Sequence, residues 1–235
     1  MKELREYTMA RVGLGRAGSS LATGEVLAFQ LAHAQARDAV YCELDVPGLQ
    51  MACHDEGWQT LLLRSAAADR QTYLKRPDLG RRLAENTALQ GSDADLCVVI
   101  ADGLSALAAN RHAVPLLREL LPLLPDWKLS AVCLLQQGRV AAGDEIAAAM
   151  RARMVLVLIG ERPGLSSPDS LGAYLTWDPF PGRSDAERNC ISNIHAAGLG
   201  YPEAARRLSA LLSAARQQQL TGVMLKERLV LPAAG

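Results

Sequence analysis

Apolar and polar positions follow two different patterns along this chain. From residue 93 onward, short continuous apolar runs recur: Leu96 to Ala101 (LCVVIA), Leu129 to Leu135 (LSAVCLL) and Met154 to Ile159 (MVLVLI). Runs rich in β-branched residues and unbroken by polar ones suit strands covered on both faces. Between them the spacing becomes helical. Ser105 to Leu124 reads as one helix that Pro115 should kink or split, and Ala141 to Arg153 as another, with Ile146, Met150 and nearby alanines on its apolar face. Strand, helix, strand, helix, strand predicts an α/β fold with a parallel sheet flanked by helices. Gly172 to Trp177 (GAYLTW) is a further strand candidate, and Pro202 to Gln219 a closing helix.

The first ninety residues show no convincing buried strand. Thr23 to Asp38 predicts a helix capped by Thr23, with Glu25 in its first turn. Arg76 to Leu89 predicts a second helix, with Pro77 near its start. Polar Gly91-Ser92-Asp93 precedes the first clear strand, which sets a soft boundary at residue 92. The expected organisation is a mostly helical segment over 1–92, facing a partner, and an α/β domain over 93–235.

Composition narrows the function classes. A chain of 235 residues, 49% apolar, can bury one substantial core. Its 25 basic and 25 acidic residues balance, so no long-range field draws it to nucleic acid or to an anionic membrane. The opening MKELREYTMARVG has no apolar stretch suited to a signal peptide or a membrane span, which predicts a cytoplasmic protein. Cysteines at 42, 53, 97, 133 and 190 form no CxxC pair, and the four histidines lack chelating spacing. Neither a disulfide framework nor a protein-bound metal is expected. Cys97 and Cys133 sit within apolar runs and read as small buried hydrophobes.

Three motifs bear on chemistry. Gly13-x-Gly15-x-x-Gly18 has the spacing of a dinucleotide-binding loop, but only the short, charge-interrupted Thr8-Met9-Ala10-Arg11-Val12 precedes it. A turn is the simpler reading, with Arg11 and Arg16 free to meet a partner. Asp102-Gly103, Gly138-Arg139 and Gly160-Glu161-Arg162-Pro163-Gly164 follow the three best strands, at the carboxyl ends where open α/β sheets bind ligands. On composition alone the last of these is a strand-to-helix turn with a solvated ion pair. Finally, Asn193-x-His195-x-x-Gly198 is close to the Asp-x-His-x-x-Gly motif of cobalamin proteins that ligate cobalt through histidine. The orienting aspartate is missing, so His195 is not expected to be an axial ligand.

Six ordered segments carry a resemblance over about Leu4 to residue 220: ARVGLGRAG (Ala10 to Gly18), LKRPDLGRRL (Leu74 to Leu83), IADGLSA (Ile100 to Ala106), GRV (Gly138 to Val140), IGERPGLSSPDSLGAYL (Ile159 to Leu175) and RNCISNIH (Arg188 to His195). Together they resemble the small subunit of ethanolamine ammonia-lyase. The resemblance implies an adenosylcobalamin-dependent lyase that converts ethanolamine to acetaldehyde and ammonia. A large TIM-barrel subunit would hold the substrate, and a Rossmann-like domain over 93–235 would cover the cofactor. It also implies cobalamin that retains its own dimethylbenzimidazole ligand, and an oligomer of heterodimers.

Matched by motif, the cofactor-contacting residues would be Val140, Glu161 and Cys190, with no catalytic residue supplied by this chain. Many family members carry a polar N-terminal extension associated with bacterial microcompartments, whereas this sequence begins almost at the shared LREYT-like segment. Cytoplasm is the expected location, with a microcompartment the family's alternative. Residues 41–72 match less clearly, and no role follows for Cys42, Cys53 or His54. A dinucleotide-dependent oxidoreductase would explain only the glycine motif, and a non-catalytic α/β binding module only the fold.

Overall fold

The computed structural model describes residues 12–85 and 87–225. Its centre is a six-stranded mixed sheet. In chain order the strands are β3 (Thr60–Arg64), β4 (Leu96–Ala101), β5 (Val132–Gln136), β6 (Met154–Gly160), β7 (Leu171–Trp177) and β8 (Asn189–Ile194), and in space they run β3-β5-β4-β6-β7-β8. A separate two-stranded hairpin, β1 (Arg16–Ala17) and β2 (Ser20–Leu21), precedes them. The first four strands across the sheet are parallel, while β7 and β8 are antiparallel additions. The predicted all-parallel sheet is therefore parallel over only part of its width. The GAYLTW strand forms, but it runs back along β6.

Continuous apolar strands arise because both faces are covered. On one face Leu96, Val98, Ile100, Leu134, Leu156 and Leu158 pack against α2 (Val46–Asp55), α5 (Ala106–Leu120) and α7 (Tyr201–Gln218). On the other, Cys97, Val99, Cys133, Leu135, Val155 and Val157 pack against α6 (Val140–Ala149). All six β4 residues and all seven β6 residues are buried. Each fully buried valine, leucine or isoleucine side chain stabilises the fold by about 1.5–3 kcal/mol. Cys97 and Cys133 lie in these layers, as their apolar surroundings indicated.

Several local expectations are corrected. Pro115 sits inside α5 without splitting it. The helix is held between the sheet and α7, which outweighs the cost of roughly 3 kcal/mol for an interior proline. Thr23 is the first residue of α1 (Thr23–Tyr41) rather than its cap; Ala22 holds that position and makes no side-chain bond. The predicted Arg76 to Leu89 helix is absent. Among the described residues of that span only α4 (Pro77–Gly80) is helical, following α3 (Arg70–Lys75), and Leu83 then bridges to Ser65 at the end of β3. Ala66 N–H donates to Arg82 O and Ala84 N–H to Arg64 O, so backbone groups that a longer helix would use internally are engaged elsewhere.

β3 itself was not foreseen. It is an edge strand in which Leu63 alone is buried and Leu62 is exposed, so it lacks the pattern of a buried strand. Leu129, expected in β5, makes an isolated bridge to Leu96 instead.

Candidate functional site

The carboxyl edge of the parallel strands organises the site. The loop leaving β4 feeds α5 on one face, and the loop leaving β5 feeds α6 on the other, so the two loops part above the β4–β5 pair. Such a divergence opens a crevice in α/β sheets. Asp102, 2% exposed, fills it from below. Its carboxylate accepts from Gln137 N–H at 2.7 Å and Gly138 N–H at 2.9 Å, and lies 4.0 Å from Arg70 Nη1. Burial pushes the Asp102 carboxyl up to about 6, although those amides and Arg70 oppose the rise.

Two sequence motifs meet beside this crevice. Tyr73, just before LKRPDLGRRL, donates its hydroxyl to Gly138 O of GRV at 3.2 Å, and Arg139 N–H donates to Gly80 O at 2.8 Å. Arg139 and Arg70 stack on the Tyr73 ring, with guanidinium carbons 4.7 and 4.8 Å from its centre. On the other side, Gly103 has φ +56 and packs so closely on Gly160 that a Cβ would lie 2.3 Å from Gly160 O. Only glycine fits that approach. The three polar loops expected at one sheet edge are thus neighbours.

All three predicted contact residues lie on the α6 side of the sheet. Val140 opens α6 and packs on the apolar layer below it. Glu161 follows β6 directly, and Cys190 on β8 stands opposite Tyr174 of β7. The GERPG segment does not run into a helix; it joins β6 to β7, with Glu161 N–H donating to Ser170 O at 2.9 Å.

Nor does Glu161 pair with Arg162. Its Oε2 accepts from Ser170 Oγ at 2.5 Å and from Asn193 N–H at 3.2 Å, which ties the ends of β6, β7 and β8 together. Oε1 is left as an acceptor over Gly172, where a Cβ would come within 3.1 Å of it. Beyond α6, Tyr174 is half-buried and Cys190 exposed, so this part of the sheet presents an open face. Crowding around its sulfur raises the Cys190 thiol pKa, the Tyr174 hydroxyl opposes the rise, and the Glu161 carboxylate adds to it. A raised thiol pKa suits contact rather than nucleophilic attack.

The remaining motifs are placed plainly. Gly18 lies in the exposed β1–β2 turn and Gly15 just before β1; among the described residues the first strand of the main sheet begins at Thr60, and Thr8 to Arg11 lie outside them. Arg16 is exposed, whereas Arg11 lies outside the described residues. His195 Nε2 is 2.9 Å from Asn193 Oδ1 and 3.1 Å from Ser167 Oγ, within a turn that closes β8. Among the described residues no group of histidine, cysteine or acidic side chains has metal-site geometry.

Sequence reasoning missed Tyr73, Tyr174 and the buried pair Asp144–Arg188. A charged residue on the alanine-rich face of VAAGDEIAAA was the one available signal for that pair.

Comparison with known proteins adds the decisive observation: the sequence profile of "Ethanolamine ammonia-lyase light chain (EutC)" matches residues 1–226. The chain belongs to the ethanolamine ammonia-lyase light chain family. Its relatives include proteins named "Ethanolamine ammonia-lyase small subunit" from three bacteria. The Xanthomonas campestris pv. campestris protein is 53% identical over 99% of this chain and 89% of its own length. The Azotobacter vinelandii protein is 53% identical over 96% and 87%, and that of Ralstonia nicotianae 52% over 97% and 88%. Against this light chain family, the oxidoreductase and simple binding-module readings find no support. Among the described residues no helix is long and apolar enough to cross a membrane.

Proposed function

We propose that this chain is the cofactor-presenting small subunit of an ethanolamine ammonia-lyase, acting with a large subunit to convert ethanolamine to acetaldehyde and ammonia. The family match over residues 1–226 carries this reading. Adenosylcobalamin supplies radical chemistry when bound, and this chain's residues supply binding, orientation and exclusion of water. We read the parallel part of the sheet as Rossmann-like, and its open α6-side face as the surface that meets the corrin.

The donor and acceptor set suits a ligand rich in side-chain amides. Glu161 Oε1 is an available charged acceptor, and Gln137 Oε1 is a buried acceptor without a partner. Val140 and Cys190 offer contact and backbone groups around them. His195 is committed to Asn193 and Ser167, in keeping with a cofactor that keeps its own dimethylbenzimidazole ligand.

The N-terminal segment suits a partner-facing role. α1 carries Leu27 and Leu31 on one side at 59% and 60% exposure, and buries only Ala32 and Ala39. Apolar surface of this kind marks an interface. Arg70 Nε holds the end of the helix by donating to Val40 O, so α1 projects from the same edge as the site. A large subunit that closes over the cofactor would cover both. We place the assembled enzyme, an oligomer of such heterodimers, in the cytoplasm or inside a microcompartment there.

The test is reconstitution. The purified chain alone should release no ammonia from ethanolamine, and should do so with adenosylcobalamin and the large subunit. Glu161→Ala should weaken cofactor binding by the complex about 10- to 100-fold, as loss of a charged hydrogen bond does. Turnover by the isolated chain, or an unchanged cofactor titration, would refute the corresponding part.

A further inference from the structure

The guanidinium of Arg139 makes no hydrogen bond or ion pair among the described residues, and its Nε is buried without an acceptor. Beside it, Arg70 is largely committed. Its Nε donates to Val40 O and its Nη1 to Gly103 O, each at 2.7 Å, while Nη2 is buried with no acceptor. The two cations share the Tyr73 ring, and Asp102 lies 4.0 Å from Arg70 Nη1. The cluster therefore carries an excess of positive charge and unused donors. Arg139 also precedes α6, which has no side-chain cap; the Ala142 N–H turns back to Arg139 O at 3.0 Å, which leaves the Val140 and Ala141 amides at the same edge.

We propose that Arg139, backed by Arg70, Tyr73 and the start of α6, forms a binding site for a phosphate group. A planar guanidinium offers paired N–H donors that match two phosphate oxygens, and an uncapped helix start favours negative charge. The inference rests on the cofactor reading above for its preferred ligand. Val140, the next residue, is one of the proposed cofactor contacts. On adenosylcobalamin, a molecule otherwise edged with neutral amides, the phosphodiester of the nucleotide loop is the fixed anion. Arg139 would then hold the nucleotide tail while Glu161 holds corrin amides, so the cofactor would be fixed at two points of the same sheet edge. Free phosphate has the same chemistry and is the second possible source.

The experiment uses the complex with the large subunit, carrying either the native chain or Arg139→Gln. Each is titrated with adenosylcobalamin and with adenosylcobinamide, which lacks the phosphodiester, by visible absorption; inorganic phosphate is titrated into the cofactor-free complexes by calorimetry. Arg139→Gln should weaken adenosylcobalamin binding about 10- to 100-fold and leave adenosylcobinamide binding unchanged. Saturable phosphate binding abolished by Arg139→Gln, with adenosylcobalamin affinity unchanged, would assign the site to free phosphate. Equal losses for both corrinoids would reveal a merely structural role and overturn the proposal, as would no change for any ligand. If neither complex takes up adenosylcobalamin, the cofactor reading fails, and the phosphate titration alone decides the anion site.

Discussion

Asp102 is a carboxylate buried under the crevice and bonded to the backbone of the neighbouring strand loop. Its folded pKa, about 6, stands above the 3.8 of a free aspartate. Between these values the folded chain holds a proton that the unfolded chain has released. The stabilisation from that proton is complete below about pH 3.8 and is lost as the pH rises through 6, a change of about 3 kcal/mol. Native chain and Asp102→Asn should therefore differ in urea stability by an amount that shifts by about 2 kcal/mol between pH 7 and pH 4, the native chain gaining at low pH. A constant difference would mean that Asp102 titrates as an exposed aspartate does. In the sequence, Asp102-Gly103 was legible as polar residues at a strand end. That the aspartate points inward to bridge two strand loops was not, because its partners are backbone amides 35 and 36 residues away.

At the scale of elements, Asp144 and Arg188 couple α6 to the start of β8. Arg188 Nη1 and Nη2 donate to the two Asp144 oxygens at 2.7 and 2.6 Å, with both side chains almost fully buried. Arg188 also donates to Thr176 Oγ1 of β7 and to Arg183 O. This pair sets the strand that bears Cys190 against the helix that Val140 opens. Asp144→Ala strands a buried guanidinium and should cost about 3–5 kcal/mol in chemical denaturation, whereas Asp144→Ala with Arg188→Met should recover much of that loss. An additive double variant would exclude the coupling.

The pair shows where sequence reading stops. β4, β6 and β7 were legible from local hydrophobic pattern, with β4 recovered residue for residue. Edge strand β3, the reversal at β7 and the Asp144–Arg188 pairing depend on contacts between distant segments. Val140, Glu161 and Cys190 are proposed as contacts on resemblance, since a valine, a loop glutamate and a strand cysteine have no chemical signature of their own.

At the scale of the whole molecule, the sheet and α5, α6 and α7 form a closed core, while α1 lies against it with most of its surface in solvent. Leu27 and Leu31 are four residues apart and so share one helical face. Substituting both with glutamate should leave the thermal midpoint of the chain nearly unchanged, because neither is buried. The same change should weaken capture of the large subunit 10-fold or more, measured by co-purification and titration. Full retention of the complex would remove α1 from the interface.

The tie from Glu161 to Asn193 also has a consequence for biosynthesis. The parallel strands are all translated before β7 and β8, and domains fold progressively as the chain emerges. The Glu161 carboxylate meets the Asn193 amide only once β8 has left the ribosome, so this edge of the sheet is completed by one of the last parts of the chain to be made. A nascent chain from which β8 has not yet emerged can assemble the parallel strands, but the Glu161 end of the sheet stays open.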